Sequence, residues 1–457
     1  MMGDGAARLA SSFRDPAGYV FERDGHFFRR ITAFGAEDWR RFVESGLAAE
    51  LVKKRQLVPF REHGENPDGS REIALETLPF ISYPYEWSFG QLRDAAVLTL
   101  DLMLTALAHG VTLKDASAFN VAFHDGAPIF LDHTSFTVYR EGEPWRAYRQ
   151  FAMHFLAPLA LMRKVDLRCL NFFRSDVGGI PLDFASRLLP WHTFLSPQHL
   201  IHIHLHAAME RRCSFAEGKG RSGEVAVPRR RLENLLVSLR DFVAGMRLPG
   251  QKTQWEGYYD HNSYSEADLD AKREIVGEVC RRRAPGRVID LGANTGVFSE
   301  IAAHSAGTVI AADIDPKAVE AIYRRSRERC PKLQPVWLDL NNPSPGTGIF
   351  AEERSPFMER ARGDLVLGLA LIHHLRITGN WPLDRIVRLF ADLAPGALVE
   401  FVPAGDVQTK RLMRGREAIY GDWDLEAVLA AFRQRFRIDR VFPLAGSERV
   451  LIEMTRV

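Results

Sequence analysis

The stretch Val288-Ile289-Asp290-Leu291-Gly292-Ala293-Asn294-Thr295-Gly296-Val297-Phe298-Ser299 limits the folds open to this chain more than any other. An apolar run ends in a carboxylate, two glycines bracket the next few residues, and a helix-like apolar pattern follows. Glycine lets a backbone turn tightly and lets a ligand come close where a side chain would clash. The pattern therefore predicts strand, turn and helix, with a ligand expected at the turn.

The surrounding sequence continues this alternation. Arg287–Leu291 is the first predicted strand, with a helix over Phe298–His304. Thr308–Ala312, Val336–Leu338, Asp364–Leu369 and Ala397–Val402 are further strands, with a helix starting at Pro316. Alternation of this kind predicts a mostly parallel sheet with helices on both faces. Arg440–Leu444 and Arg449–Met454, joined by four residues that include Gly446, predict a closing antiparallel hairpin.

A second carboxylate, Asp313, ends the second strand about 20 residues beyond Gly292, the spacing of a ribose-binding acid in nucleotide folds. Asp315-Pro316 reads instead as the cap and first residue of the next helix. The glycine pattern is DxGxxxG. A nicotinamide-type GxGxxG would need glycines where Asn294 and Val297 stand. On these residues, together with the fourth-strand segment GDLVLGLALIHHL, residues 255–457 resemble the class I S-adenosylmethionine-dependent methyltransferases. The resemblance implies S-adenosylmethionine as cofactor. Asp290, Gly292, Asn294 and Gly296 would lie against its methionine part. Asp313 would hold the ribose, and Asp339 the adenine amino group. His373 and His374 follow the fourth strand, on the edge where such folds place ligands, and are the candidate catalytic residues; His373 is expected nearest the acceptor, as a base or as a shaper of the pocket. Trp255, Tyr258, Tyr259 and His261 are candidate substrate-binding residues, with an ordinary interdomain contact as the competing expectation.

The other half carries a different signature. Asp115 and Asn120 in LKDASAFN, followed by Asp132 after the apolar run Ile129–Leu131, resemble the catalytic loop and metal-binding strand of protein-kinase-like folds. In active kinases Asp115 would be the base, and Asn120 and Asp132 would hold metal. The chain departs from that pattern. It has no glycine-rich phosphate loop, offers Arg29 and Arg30 where a lysine is usual, and follows Asp132 with His133-Thr134. A degenerate kinase-like scaffold that presents a substrate or partner is the expectation, with ATP and magnesium binding left open.

The fold class expected is thus a Rossmann-like doubly wound α/β methyltransferase domain with a C-terminal hairpin, preceded by an α+β kinase-like domain. The boundaries are 1–205 for the kinase-like domain, 206–250 for a linker and connecting helix, and 251–457 for the methyltransferase domain. The whole arrangement is similar to the rhizobial host-specific nodulation methyltransferase-like proteins.

Composition excludes some functions. Lys+Arg is 60 against 58 Asp+Glu, so no nucleic-acid-binding charge excess exists, and no nucleic-acid partner is expected. The four cysteines form no CxxC pair, which argues against a cysteine-based metal site and fits the reducing cytoplasm. No metal is expected. The most apolar stretches, Ala95–Ala108 and Phe155–Met162, fall short of the roughly 18 residues a bilayer span requires, and Met1–Pro16 has no apolar targeting segment. A small-molecule or metabolite acceptor is preferred. The alternatives are a protein acceptor docked by the first half, a bifunctional kinase–methyltransferase, and an inactive nucleotide-binding regulator.

Overall fold

The structure, a computed structural model, describes residues 7–215, 226–248, 250 and 266–457. The chain divides into two compact units. Unit 1 is Met1–Gly250 together with Gly346–Ser355, and unit 2 is Gln251–Pro345 together with Pro356–Val457.

Unit 1 opens with five antiparallel strands, β1 (Ala7–Arg8), β2 (Gly18–Arg23), β3 (His26–Ile31), β4 (Phe60–Glu65) and β5 (Arg71–Leu75), in the order β1-β2-β3-β5-β4. Two helices, Ala36–Glu44 and Leu47–Lys53, connect β3 to β4 and bury Trp39, Phe42, Leu47 and Leu51. Successive side chains on a strand face opposite ways. On β3 this sends Arg29 inward to Asp132 and Arg30 to Glu72, 2.6 Å away on β5. The helix Phe89–Ala108 starts at a capping box in which Ser88 accepts from the Gln91 amide and Gln91 accepts from the Ser88 amide. Its apolar residues are buried on nearly every side, as expected of a helix inside a core.

Four short strands follow, β6 (Val111–Leu113), β7 (Val121–His124), β8 (Ala127–Phe130) and β9 (Phe136–Val138). β6 pairs with β9, and β7 with β8. The β7–β8 turn has Asp125 and Gly126 both at positive φ, the backbone that two-residue hairpins prefer. Unit 1 then continues through helices to Phe215. The later helix Arg229–Ala244 is tied to Phe89–Ala108 by an Arg240–Asp101 ion pair of 2.5 Å.

Unit 2 has one seven-stranded sheet. Its strands are β10 (Arg287–Leu291), β11 (Thr308–Asp313), β12 (Leu333–Trp337), β13 (Leu365–Gly368), β14 (Gly396–Phe401), β15 (Phe436–Pro443) and β16 (Val450–Arg456). The order is β12-β11-β10-β13-β14-β16-β15. β10 to β14 are parallel, and β16 runs antiparallel between β14 and β15. This is the doubly wound α/β sheet with a terminal hairpin. Val288, Val309, Leu365, Leu367, Leu398 and Leu451 fill its core. Strand order reverses at β10, with β11 on one side and β13 on the other, and such switch points open a crevice at the carboxyl ends of the strands.

The third strand lies earlier than Val336–Leu338. It spans Leu333–Trp337 with Pro335 inside it, and it is tolerated because β12 is an edge strand, where a missing N–H need not break a ladder. The hairpin strands are also longer than the sequence suggests, with an irregularity in β15 between Ile438 and Arg440. Among the described residues no helix is long and apolar enough to cross a membrane.

Candidate active site

The turn after β10 is built from left-handed backbone. Gly292 has φ +71°, Asn294 +48° and Gly296 +79°. The amides of Gly292 and Ala293 both donate to the Ala312 carbonyl, at 2.9 and 3.0 Å, so the turn hangs from β11. A Cβ on Gly296 would stand 3.1 Å from Ile322, and one on Gly292 3.3 Å from Leu371. Both glycines are thus required by backbone angle and by crowding.

Asp290 lies beneath the turn. It is buried and accepts a 2.5 Å hydrogen bond from Ser299 in the first turn of the helix Val297–Ala303. Burial lifts its pKa to about 6, against the opposing effects of Ser299 and Lys272. Asp313 lies at the rim. One carboxylate oxygen accepts from the Asn294 amide at 2.7 Å, the other from the Asp315 amide at 2.8 Å. Burial pushes its pKa up to about 6 as well, with those amide bonds opposing. Asp315 caps the next helix by accepting from the Lys317 amide, as its place before Pro316 implies.

Asp339 sits on the neighbouring loop. The Leu338 amide donates to the Asp313 carbonyl at 2.8 Å, and Asp339 accepts from the Asn341 amide at 2.9 Å. Between the two acids the Trp337 indole donates to the Ile314 carbonyl. The Ile314 side chain is 47% exposed beside Asp313, an apolar surface that the sequence reading missed. Gly292, Asn294, Gly296 and Asp313 therefore surround one turn, with Asp339 on the adjoining loop and Asp290 beneath.

His373 and His374 lie at the carboxyl end of β13 with their rings 4.2 Å apart. His373 is 2% exposed, and its Nδ1 has no hydrogen-bond partner among the described residues. Burial, then the nearby His374, Arg449 and Lys272, hold its pKa well below 6.5. Burial pushes His374 down to about 4. Both imidazoles are neutral, and neither has the near-neutral pKa that a histidine base would ordinarily bring.

Behind them runs a chain of buried charge. Lys272, on the helix Glu266–Arg283, lies 2.6 Å from Glu400 of β14. Arg449 lies 3.4 Å from the other oxygen of Glu400 and 2.7 Å from Asp406. The Lys272 ammonium also stands 4.5 Å over the Phe298 ring. Each cation here meets an anion, which is how buried charge is tolerated. Sequence reasoning missed this group, although Glu400 inside the apolar strand ALVEFV was a usable signal: a buried carboxylate must find a cation. Trp255, Tyr258, Tyr259 and His261 lie outside the described residues.

Unit 1 brings Asp115, Asn120 and Asp132 together. Asp115 accepts from the Ser117 amide at 2.9 Å, and burial, then the nearby Asp132, raise its pKa. Asp132 is heavily engaged: it accepts from the Thr134 amide and hydroxyl and the Ser135 hydroxyl, and lies 2.5 Å from Arg29. Burial would raise its pKa, but Arg29 and these bonds outweigh burial and lower it. The Asn120 side-chain Nδ2 donates to the Ser135 hydroxyl at 3.4 Å. Among the described residues no group of three or more His, Cys, Asp or Glu is arranged to hold a metal ion.

No family model matches the chain. It is 34% identical over 460 residues to nodulation protein NoeA of Rhizobium meliloti (strain 1021), across 98% of this chain and 96% of that protein. The chain belongs to the NoeA family. The match spans both units of this chain. Among solved structures, this NoeA-family chain is similar to N-methyltransferase NodS from Bradyrhizobium japonicum WM9 in complex with S-adenosyl-L-homocysteine, at 13% identity over 45% of this chain and 93% of that one, TM-score 0.32. It is also similar to magnesium protoporphyrin IX methyltransferase (ChlM) from Synechocystis PCC 6803 with bound SAH, at 15% identity over 44% and 92%, TM-score 0.32.

Proposed function

We propose that this NoeA-family chain is a methyltransferase whose unit 2 takes the methyl group from S-adenosylmethionine. The observation that carries the reading is Asp313. Its carboxylate ends β11 with one backbone amide on each oxygen, beside a turn of left-handed residues that offers bare backbone to a ligand. A carboxylate has about four acceptor positions, and the amides of Asn294, Asp315 and Ile314 leave acceptor capacity for a ribose. Asp339 would accept from the adenine amino group, Ile314 would lie against the base, and the Asp290–Gly296 turn would receive the methionine part. When bound, S-adenosylmethionine supplies a methyl carbon made electrophilic by its sulfonium.

The chain's own contribution on the acceptor side is alignment. His373 and His374 stay neutral, and Trp255, Tyr258, Tyr259 and His261 are assigned to the acceptor. With weakly basic imidazoles, positioning supplies more of the rate than proton removal. A small-molecule or metabolite acceptor in the cytoplasm fits the near-balanced charge, and a protein acceptor is second.

A second reading concerns unit 1. Its five-stranded order, its long helix and the grouping of Asp115, Asn120 and Asp132 favour a kinase-like shape. Asp132 paired with Arg29 favours one that transfers phosphate poorly, which leaves presentation of a substrate or partner as its role. Both the bifunctional enzyme and the inactive regulator stand against this.

Calorimetry with S-adenosylhomocysteine tests the main reading. Removing a hydrogen bond to a charged group costs about 1.5–3 kcal/mol, so Asp313→Ala weakens binding by about tenfold or more without unfolding the chain. Unchanged affinity removes Asp313 from the site. Labelled donor offered to a metabolite extract then separates an enzyme from a regulator that binds and does not turn over.

A further inference from the structure

Residues Gly346–Ser355 fall between β12 and β13 in sequence, yet they belong to unit 1. The loop closes on itself, with Thr347 and Arg354 exchanging backbone hydrogen bonds of 3.1 and 3.3 Å. Gly348 has φ +80°, and a Cβ there would lie 2.6 Å from the Glu353 side chain. Phe350 and Ala351 are also left-handed, at φ 56° and 60°, a backbone that costs free energy in residues with a Cβ. Strain of this sort persists only where surrounding contacts hold it.

Those contacts come from two consecutive side chains. Glu353 is buried and receives Arg14 through both prongs, Nη2 at 2.5 Å and Nε at 3.3 Å. Arg14 lies in the connection from β1 to β2. Arg354 places its guanidinium 4.6 Å over the ring of Phe119, inside the Asp115–Asn120 turn. Phe119 is one corner of an aromatic triangle with Tyr83 and Tyr85, whose centroids are 5.7 and 6.2 Å apart. Both tyrosines lie close enough to act on the Arg354 charge. A planar guanidinium suits such rings, because it stacks on an aromatic face and sheds water more readily than an ammonium.

We propose that Tyr83, Tyr85 and Phe119 form an arginine seat in unit 1, and that Gly346–Ser355 is its built-in occupant. The loop acts as a strap that ties the β1–β2 connection, through Arg14 and Glu353, to the Asp115–Asn120 turn, through Arg354 and Phe119. The Phe350 tip, 88% exposed, takes no part in this grip. The strap is independent of the methyl-transfer reading.

Amide hydrogen exchange on the full chain tests it. Losing a partly desolvated cation–ring contact raises exchange at residues 116–120 by roughly tenfold in Arg354→Ala. Arg354→Lys, which keeps the charge and loses the planar stack, gives a smaller rise. Glu353→Gln acts instead on residues 12–18. Phe119→Leu raises exchange at least as much as Arg354→Ala, because it also loses the ring contacts to Tyr83 and Tyr85, and adding Arg354→Ala to it changes little further, because the shared contact is already gone. Circular dichroism checks that each variant folds. S-adenosylhomocysteine affinity stays unchanged in the Arg354 variants, which separates this result from any failure at unit 2. The strap is refuted if Arg354→Ala leaves residues 116–120 as protected as before, or if the effects of the Arg354 and Phe119 substitutions add in full.

Discussion

Burial raises the pKa of Asp313 to about 6 in the ligand-free chain. In the proposed site the carboxylate accepts from both ribose hydroxyls, whereas protonation turns one of its oxygens into a donor and weakens that grip. Below about pH 6 the free protein must first release a proton, so binding weakens by up to about tenfold per pH unit. Above that value the carboxylate is already formed and affinity levels off. We expect calorimetric affinity for S-adenosylhomocysteine to climb as pH rises towards 6 and then flatten, and Asp313→Asn to bind weakly with that slope gone. The histidines add no such limb, since His374 titrates near 4 and His373 is held well below 6.5. A limb of kcat near pH 7 that vanishes in His373→Ala would contradict the neutral, aligning role. Sequence made Gly292, Gly296, Asp313 and Asp315 legible because each meets a strict local requirement: a left-handed angle, a strand-end acceptor or a helix cap. The state of His373 was not legible. Its pKa is lowered by burial and then by His374, Arg449 and Lys272, and the last two lie far from it in sequence.

At the scale of elements, parallel strands and their helices were legible from apolar periodicity, while β12 was misplaced because Pro335 argues locally against a strand and only its edge position permits one. The buried charge chain joins three elements that periodicity treats separately: the helix bearing Lys272, strand β14 with Glu400, and Arg449 just before β16. Its energetics are testable. Removing one partner of a buried ion pair leaves an uncompensated charge, at a cost of about 3–5 kcal/mol. Glu400 keeps Arg449, so Lys272→Met should fall at the lower end of that range by denaturant unfolding. Lys272→Met with Glu400→Gln should cost less than the two single losses together, because the double variant removes both members of the pair. Additive losses would mean that Lys272 and Glu400 are not energetically coupled.

At the scale of the molecule, the assignment of 346–355 to unit 1 left no periodic signature in the sequence, since a short loop carries none. The proposed kinase-like reading of unit 1 has its own test. For Asp132 to hold a metal it must give up Arg29, and Arg29 is almost fully enclosed, with side-chain exposures of 8% for Arg29 and 14% for Asp132. An uncompensated buried guanidinium costs about 3–5 kcal/mol, equivalent to a weakening of roughly 10²–10⁴-fold for any ligand that needs the metal. The Thr134 and Ser135 hydroxyls on Asp132 would also have to turn away. Magnesium-dependent ATP binding should therefore be very weak in the intact chain, and phosphate transfer slow. Arg29→Ala relieves the competition for Asp132 and should strengthen magnesium binding if the site retains its shape, which a magnesium-dependent shift in melting temperature would register. Phosphate transfer at kinase-like rates in the wild type, abolished by Asp115→Asn, would overturn the view that the Arg29–Asp132 pair has closed this site to metal.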